Sequence, residues 1–208
     1  MRAIFLDRDG VICENRSDHV KTWDEFQFLP RAIDSLAALS RLDLPIIVIS
    51  NQAAINRGFV STNIVEDIHR RMVAEIEAGG GRIDRVMYCP HRPDENCDCR
   101  KPQPGMLRQI AAETDIDLTQ SYLVGDAATD IIAGNRVGCR NFLVLTGRGF
   151  KQVVPALQQA KGHFTIVRDL MDAAITIIEV EAKMSARADK TWSPCTLSRP
   201  PVISAINS

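Results

Sequence analysis

The chain contains six short runs of apolar residues, many of them β-branched, that predict β-strands. Apolar and polar positions do not alternate within the runs, which is typical of parallel strands buried on both faces of a sheet. The runs lie at residues 3–6, 46–49, 86–88, 122–124, 142–145 and 164–167. The pattern therefore predicts a sheet of mainly parallel strands.

Segments with the period of an α-helix separate these runs. They predict helices at residues 32–39, from Ser61 or Thr62 to the glycines at 79–81, 106–113, 130–137 and 169–183. Ile64, Ile68, Met72 and Ile76 form the predicted apolar face of the second. Alternating strands and helices predict a Rossmann-like three-layer α/β/α fold with right-handed crossovers. The stretches after the first and second strands are too short for a large cap domain.

The character of the sequence changes after Met184. Residues 1–184 are long enough for one domain with a full core. Residues 185–208 are rich in Ser and Pro, with isolated apolar positions, and predict a flexible C-terminal tail or an arm that depends on a partner.

The overall composition is that of an ordinary soluble protein. A formal net charge of −1, 45% hydrophobic residues and 25% charged residues give no sign of binding to nucleic acid or membranes. There is no apolar run of about 20 residues and no signal-peptide pattern. We therefore expect a cytoplasmic protein and a monomer.

Two carboxylates follow the first predicted strand directly. Asp7 and Asp9 come after the apolar run at 3–6, and Gly10 lets the backbone turn or approach a ligand closely. Parallel sheets bind ligands beyond the carboxyl ends of their strands. Two acids this close repel each other unless a cation lies beside them or one keeps a proton, which indicates catalysis. The alternative is a turn that merely favours Asp and Gly.

Two other strand ends and one loop carry residues suited to a phosphoryl group. Ser50 and Asn51 follow the second strand, Asp126 follows the fourth, and Asp130 lies four residues later. Lys101 precedes a Pro-containing loop. Each has a structural alternative, namely a helix cap, a turn or a solvated charge, but their joint occurrence favours a functional site.

These motifs, in this order, resemble those of the haloacid dehalogenase superfamily of phosphatases. The resemblance implies Asp7 as the nucleophile that forms an aspartyl-phosphate and Asp9 as general acid and then base. It also implies a Mg²⁺ site made by Asp7, the Asp9 carbonyl and Asp126, with Asp130 in support and with Ser50 and Lys101 holding the phosphoryl group. Because Asp9 must carry a proton to assist the leaving group, we expect its surroundings to raise its proton affinity.

A second group of residues predicts a metal site. Cys89, His91, Cys97 and Cys99 lie within eleven residues, and three thiols with one imidazole fit a closed tetrahedral Zn²⁺ site. We expect this zinc to be structural and to order a loop that ends just before Lys101. The alternative is four unconnected loop residues.

The combination of both motifs resembles the zinc-bearing branch of histidinol-phosphate and heptose-bisphosphate phosphatases, which implies a small phosphorylated sugar as substrate. In that branch the segment corresponding to Asn51, Gln52 and Arg57 lines the substrate pocket, and Arg57 and Arg100 are candidate contacts for a second phosphate or for hydroxyls. This chain departs from the family pattern at Ala53, Ala54 and Ala127, which puts the substrate's identity in question.

Three other interpretations remain open at this stage. A histidinol-phosphate or other small phosphomonoester hydrolase would use the same motifs. A receiver-like phosphoacceptor domain also gathers acids, a hydroxyl and a Lys around Mg²⁺, although its acceptor lies on a middle strand. A nucleic-acid-binding zinc ribbon would explain the Cys/His loop, but the basic, aromatic-rich surface typical of such proteins is missing.

Overall fold

The computed structural model describes residues 1–188 and 202–205, and all six predicted strands are present. The strands are β1 (Ile4–Leu6), β2 (Ile46–Asn51), β3 (Arg85–Cys89), β4 (Tyr122–Gly125), β5 (Arg140–Val144), β6 (Phe164–Val167) and β7 (Val202–Ala205). The α-helices are α1 (Ala32–Leu39), α2 (Thr62–Ala78), α3 (Gly105–Glu113), α4 (Ala128–Asn135), α5 (Gly149–Gln159) and α6 (Leu170–Ala188). Short 3₁₀ helices lie at Trp23–Glu25, Pro93–Glu95 and Leu118–Gln120.

The described strands form one parallel sheet in the order β6-β5-β4-β1-β2-β3-β7. The strand order reverses at β1, whose neighbours β2 and β4 lie on either side. Leu6, the last residue of β1, is in register with Val48 of β2 and Val124 of β4. The carboxyl ends of the three strands therefore meet at a topological switch point, where open α/β sheets bind their ligands.

Two apolar cores cover the faces of this sheet, and alternating residues of β1 contribute to each. Ile4 and Leu6 belong to the core on the side of α1, α2 and α6, whereas Phe5 belongs to the core on the side of α3. β1 is thus buried on both faces, which explains its unbroken apolar sequence. The predicted α/β/α architecture is confirmed.

The apolar face of α2 differs slightly from the prediction. Ile64 is 43% exposed, whereas Val65 is fully buried together with Ile68, Met72 and Ile76. Ile64 lies in the first turn, after the N-cap Ser61, and the stripe that contacts the sheet begins one residue later. The predicted helix is correct, but its buried stripe begins at Val65.

The segments after β1 and β2 leave the site without a cap domain among the described residues. Residues 7–31 contain one 3₁₀ helix, and residues 52–61 form a turn-rich loop. Within residues 1–188 and 202–205 there is also no helix whose length and apolar character would let it cross a lipid bilayer.

Part of the predicted tail is ordered in the structure. Helix α6 continues to Ala188, four residues beyond the predicted boundary, and Val202–Ala205 pairs with β3 as a parallel edge strand. A strand is favoured there because β3 would otherwise leave backbone groups unpaired, and Val202 and Ile203 are β-branched. The tail prediction is wrong for these segments, and its other residues, including Cys195, lie outside the described part.

We predict that Tyr122→Phe lowers the free energy of unfolding by about 1–3 kcal/mol, since the Glu181 carboxylate would lose a buried donor. The Tyr122 hydroxyl donates to Glu181 at 2.6 Å, and Glu181 is 6% exposed. Tyr88→Phe is the matched control, because its hydroxyl donates to the partly exposed Glu66 at 2.9 Å. Urea denaturation should show the smaller loss for Tyr88→Phe; equal losses would contradict the role of burial.

Candidate active site

Three buried carboxylates converge at the carboxyl edge of the sheet. Asp7 follows β1, Asp126 follows β4, and Asp130 lies in the first turn of α4. One oxygen from each lies within 4.8 Å of the others, and the three residues are at most 5% exposed. Burial raises the pKa of Asp7 to about 6, although nearby Lys101 opposes the shift. An oxygen-only donor set of this kind fits a hard divalent cation such as Mg²⁺.

Lys101 is the buried cation of this cluster. Its Nζ lies 2.9 Å from Asp7 Oδ1 and 2.7 Å from Asp130 Oδ1, and it donates to the Ile49 carbonyl at 2.8 Å. Burial alone would lower the pKa of Lys101, but the two carboxylates raise it. The ammonium group is therefore held in its charged form between two carboxylates and the Ile49 carbonyl of β2.

Two glycines allow the strand-end loops to close around Asp126. A Cβ atom at Gly10 would lie 2.1 Å from Asp126 Oδ2, and one at Gly147 would lie 2.5 Å from the same oxygen. Both residues have positive φ, +86° and +57°. A larger residue at either position would displace the Asp126 carboxylate, so the sequence needs glycine there.

The carboxylate of Asp9 is held by different partners. Its Oδ1 accepts from Arg8 Nη2 at 2.8 Å, and its Oδ2 accepts from Gln52 Nε2 at 2.9 Å. Burial by itself would raise the pKa of Asp9, but the Arg8 guanidinium and the hydrogen bonds from Arg8, Gln52 and Cys13 lower it. The expectation that these surroundings raise its proton affinity is therefore wrong for the protein alone.

Ser50, Asn51 and Gln52 have distinct positions at the end of β2. Ser50 Oγ lies 3.5 Å from Asp9 Oδ2 and accepts from Gln52 Nε2 at 2.7 Å. The Asn51 side chain pairs with the backbone of Lys101, donating to its carbonyl at 3.0 Å and accepting from its amide at 3.1 Å. Asn51 and Gln52 therefore hold other site residues in place.

Sequence reasoning missed two residues in the site. Arg8 lies between the two aspartates and would ordinarily be a solvated charge, yet it is 1% exposed. Arg148 follows β5, and its guanidinium donates to Asp126 Oδ1 at 3.1 Å. The Thr-Gly that precedes Arg148 at a further strand end was the signal that could have identified it.

The site opens into a cavity of about 520 Å³. Five arginines are among its lining residues: Arg8, Arg16, Arg57, Arg100 and Arg148. Arg100 also donates to the His91 carbonyl at 3.0 Å, which ties the cavity wall to the Cys/His loop. A small anionic ligand would be attracted by these side chains and would fit the volume.

The predicted zinc ligands lie together. Sulfur–sulfur distances among Cys89, Cys97 and Cys99 are 3.1 to 3.6 Å, and His91 Nδ1 lies 3.2 and 3.4 Å from two of the sulfurs. Sulfurs at ~2.3 Å from a tetrahedral zinc would be about 3.8 Å apart. The hydrogen bond with Cys89 lowers the pKa of the Cys99 thiol to about 5, which favours a thiolate ligand. The donor set therefore fits zinc.

The departures from the family pattern fall at buried positions. Ala54 packs in a small core with Val60, Val65 and Tyr88. Ala53 is 3% exposed and lines the cavity, while the amide of Ala127 donates to Asp130 Oδ2 at 3.0 Å. Ala54 is thus a packing residue, whereas Ala53 lines the space that a ligand would enter.

Comparison with known proteins gives relatives over most of the chain. Residues 98–173 match a family model described as HAD-hydrolase-like. The chain is 41% identical over 148 residues to the D-glycero-beta-D-manno-heptose-1,7-bisphosphate 7-phosphatase of Pseudomonas aeruginosa, covering 71% of this chain and 83% of that protein. It is 33% identical over 186 residues to the enzyme of the same name from Neisseria meningitidis serogroup A, covering 89% and 100%.

Solved structures give the same result. The D,D-heptose 1,7-bisphosphate phosphatase of B. bronchiseptica, complexed with magnesium and phosphate, superposes with a TM-score of 0.82 at 35% identity, over 86% of this chain and 99% of that one. The D,D-heptose 1,7-bisphosphate phosphatase of Burkholderia thailandensis superposes with a TM-score of 0.67 at 28% identity, over 86% of this chain and 99% of that one. These findings confirm the predicted resemblance and remove the receiver alternative. The chain belongs to the heptose-1,7-bisphosphate 7-phosphatase family of HAD-like phosphatases, enzymes that hydrolyse phosphate esters.

Proposed function

We propose that this protein removes the 7-phosphate of D-glycero-D-manno-heptose 1,7-bisphosphate in a reaction that depends on Mg²⁺. The observation that carries the proposal is the juxtaposition of Asp7, Asp9 and Lys101 beneath a cavity lined by arginines. Relatives that share at least a third of their residues with this chain have the same named activity. A nucleophile, an acid–base group and a phosphoryl-binding cation are the parts this hydrolysis requires.

The first half of the reaction forms a phosphoenzyme. An oxygen of Asp7 attacks phosphorus, the ester P–O bond breaks, and the sugar oxygen takes a proton from Asp9. Lys101 Nζ, 2.9 Å from the attacking carboxylate, reaches the oxygens of the transferring group and offsets their charge. Ser50, at the end of β2, supplies a hydroxyl donor to the same group.

The second half regenerates the enzyme. Asp9, now a carboxylate, takes a proton from a water molecule as the water oxygen attacks phosphorus. The bond between phosphorus and Asp7 breaks, and inorganic phosphate leaves. In this scheme Asp7, the Asp9 carbonyl and Asp126 hold Mg²⁺, and Asp130 orients Lys101. Bound Mg²⁺ neutralises charge between the nucleophile and the phosphate oxygens.

The zinc loop supports this site from outside. We propose that Cys89, His91, Cys97 and Cys99 bind one structural Zn²⁺. The loop they form ends two residues before Lys101, and Arg100 is bonded to its His91 carbonyl. With all four positions filled by protein, the metal has no open position for substrate.

The first test measures initial rates on both anomers of heptose 1,7-bisphosphate, on histidinol phosphate and on simple sugar phosphates. We expect kcat/KM for one 1,7-bisphosphate anomer to exceed the others by at least about tenfold, because two phosphates engage more of the cationic cavity. Asp7→Asn is the control and should lower kcat/KM at least about a thousandfold. Equal, low rates on all substrates would contradict the assignment of heptose 1,7-bisphosphate as the substrate. A maximum on histidinol phosphate would favour a histidinol-phosphate phosphatase. Undiminished activity of Asp7→Asn would refute the mechanism.

The second test asks whether Arg57 binds the phosphate that is not transferred. Arg57 is exposed and lines the cavity. We expect Arg57→Gln to raise KM for the 1,7-bisphosphate about tenfold, through loss of a charge-assisted contact, while KM for heptose 7-phosphate stays nearly constant. Arg108→Gln, an exposed arginine on α3, is the control. A similar change in KM for both substrates would refute the assignment.

The third test concerns zinc. Cys97→Ser should lose stoichiometric zinc and lower the thermal midpoint by at least about 5 °C. A structural metal contributes several kcal/mol to stability, and each kcal/mol shifts the midpoint by about 2–4 °C at this chain length. Cys139→Ser, a buried cysteine in the core below α3, should keep its zinc. Metal analysis and thermal unfolding would decide the matter, and full zinc content in Cys97→Ser would contradict the four-ligand site.

A further inference from the structure

A chain of buried polar contacts runs from Asp9 through Arg8, which also lines the cavity, to His69 on α2. Arg8 Nη2 donates to Asp9 Oδ1 at 2.8 Å, and Arg8 Nη1 lies 3.1 Å from His69 Nε2. Arg8 is 1% exposed, His69 is fully buried, and the mechanism above uses neither. Burying a guanidinium and an imidazole costs free energy, so the contact of Arg8 with Asp9 and that of His69 with Arg8 require an explanation.

The contacts of Asp9 divide its two oxygens. Oδ1 faces Arg8 and the Cys13 thiol, which lies 3.6 Å away. Oδ2 faces the cavity residues, with Gln52 Nε2 at 2.9 Å and Ser50 Oγ at 3.5 Å. A guanidinium only donates and cannot relay a proton, and the Arg8 and Cys13 donors together occupy both acceptor positions of Oδ1. This arrangement leaves Oδ2 as the oxygen that exchanges a proton with the substrate.

His69 fixes the guanidinium in turn. Because arginine only donates hydrogen bonds, His69 Nε2 must accept, so its proton lies on Nδ1 and the ring is neutral. The Phe26 ring lies 6.0 Å from Arg8 Cζ, and the Tyr88 ring centroid lies 5.3 Å from that of His69. The two rings restrict the movement of the Arg8 and His69 side chains, and His69 belongs to the buried face of α2.

We propose that Arg8, held by His69, is a positioning residue that orients the Asp9 carboxyl so that Oδ2 delivers its proton to the leaving oxygen. This inference rests on the acid–base role proposed for Asp9. In the step concerned, the bond between an Asp7 oxygen and phosphorus forms as the ester P–O bond breaks. The leaving oxygen keeps the electron pair of that bond and takes the proton from Asp9 Oδ2, which becomes a carboxylate. Arg8 and His69 exchange no proton; they act through geometry.

The test compares kcat/KM for p-nitrophenyl phosphate and phenyl phosphate, which have similar shapes. p-Nitrophenolate is a stable anion that leaves without a proton, whereas phenolate needs one, so the ratio of the two values reports proton donation. Because kcat/KM reports only the steps up to departure of the leaving group, the later step in which Asp9 acts as a base does not affect the ratio. Asp9→Asn calibrates the assay and should raise the ratio by about 10²–10⁴-fold.

We expect Arg8→Met and His69→Leu to raise the same ratio at least about tenfold, as partial losses of the Asp9 effect. His69→Gln, which keeps an acceptor near the Nε2 position, should restore the ratio to within about threefold of the parent. Met72→Leu, on the same buried face of α2, controls for destabilisation and should leave it unchanged. Thermal unfolding would identify any variant that does not fold. If Arg8→Met does not fold, the comparison of the ratio in His69→Gln with that in His69→Leu still tests whether an acceptor is needed at position 69.

The outcomes separate this inference from the proposed function. If Asp9→Asn shifts the ratio and neither Arg8→Met nor His69→Leu does, the positioning role is refuted while the acid–base role stands. If Asp9→Asn leaves the ratio unchanged, the acid–base role falls and the inference falls with it. Faster phenyl phosphate cleavage in Arg8→Met would mean that Arg8 only suppresses protonation of Asp9. That result would also refute the positioning role of Arg8.

Discussion

The site depends on one buried ammonium group. Lys101 Nζ lies between Asp7 and Asp130 and is bonded to the end of β2 through the Ile49 carbonyl. Without this cation, the buried acids would repel each other at the point where three strands meet. Asn51 clamps the Lys101 backbone from β2, and the Cys/His loop ends just before it. The parallel sheet, the loop and the carboxylates therefore share one electrostatic constraint, which links the Cys/His loop to the buried carboxylates.

The strand ends were the predictable part of this protein. Apolar runs that need burial on both faces require a covered parallel sheet, and parallel strands deliver the residues that follow them to the same edge. Asp7, Ser50 and Asp126 could therefore be brought together from the sequence before any coordinates existed. The compact spacing of the Cys/His group allowed the same reasoning, because four donors within one short loop have few other ways to be satisfied.

The remaining features depend on side-chain direction and on long-range contacts. The charge of Arg8 predicts an exposed side chain from the local sequence, but Arg8 is buried, and His69 on α2, sixty-one residues away, supplies its partner. That partner cannot be found from spacing. Likewise, the β7 strand depends on the unpaired edge of β3, and the burial of Ala54 depends on Val60, Val65 and Tyr88. In each case a distant element decides the structure.

The pKa values of the two aspartates shift in opposite directions, and the sequence did not predict the shift at Asp9. Burial raises the pKa of Asp7 to about 6, whereas Arg8 holds the pKa of Asp9 below its ordinary value despite burial. In the protein alone, the acid is thus the more readily ionised of the two. A bound phosphate ester brings negative charge to within reach of Asp9 and raises its pKa, so substrate binding and proton uptake at Asp9 favour each other by linkage. A cation on the Asp7 and Asp126 oxygens acts in the opposite direction and favours an ionised nucleophile. In the mechanism proposed above, the two aspartates would therefore acquire their working protonation states from the ligands, since Arg8 lowers the pKa of Asp9 in the protein alone.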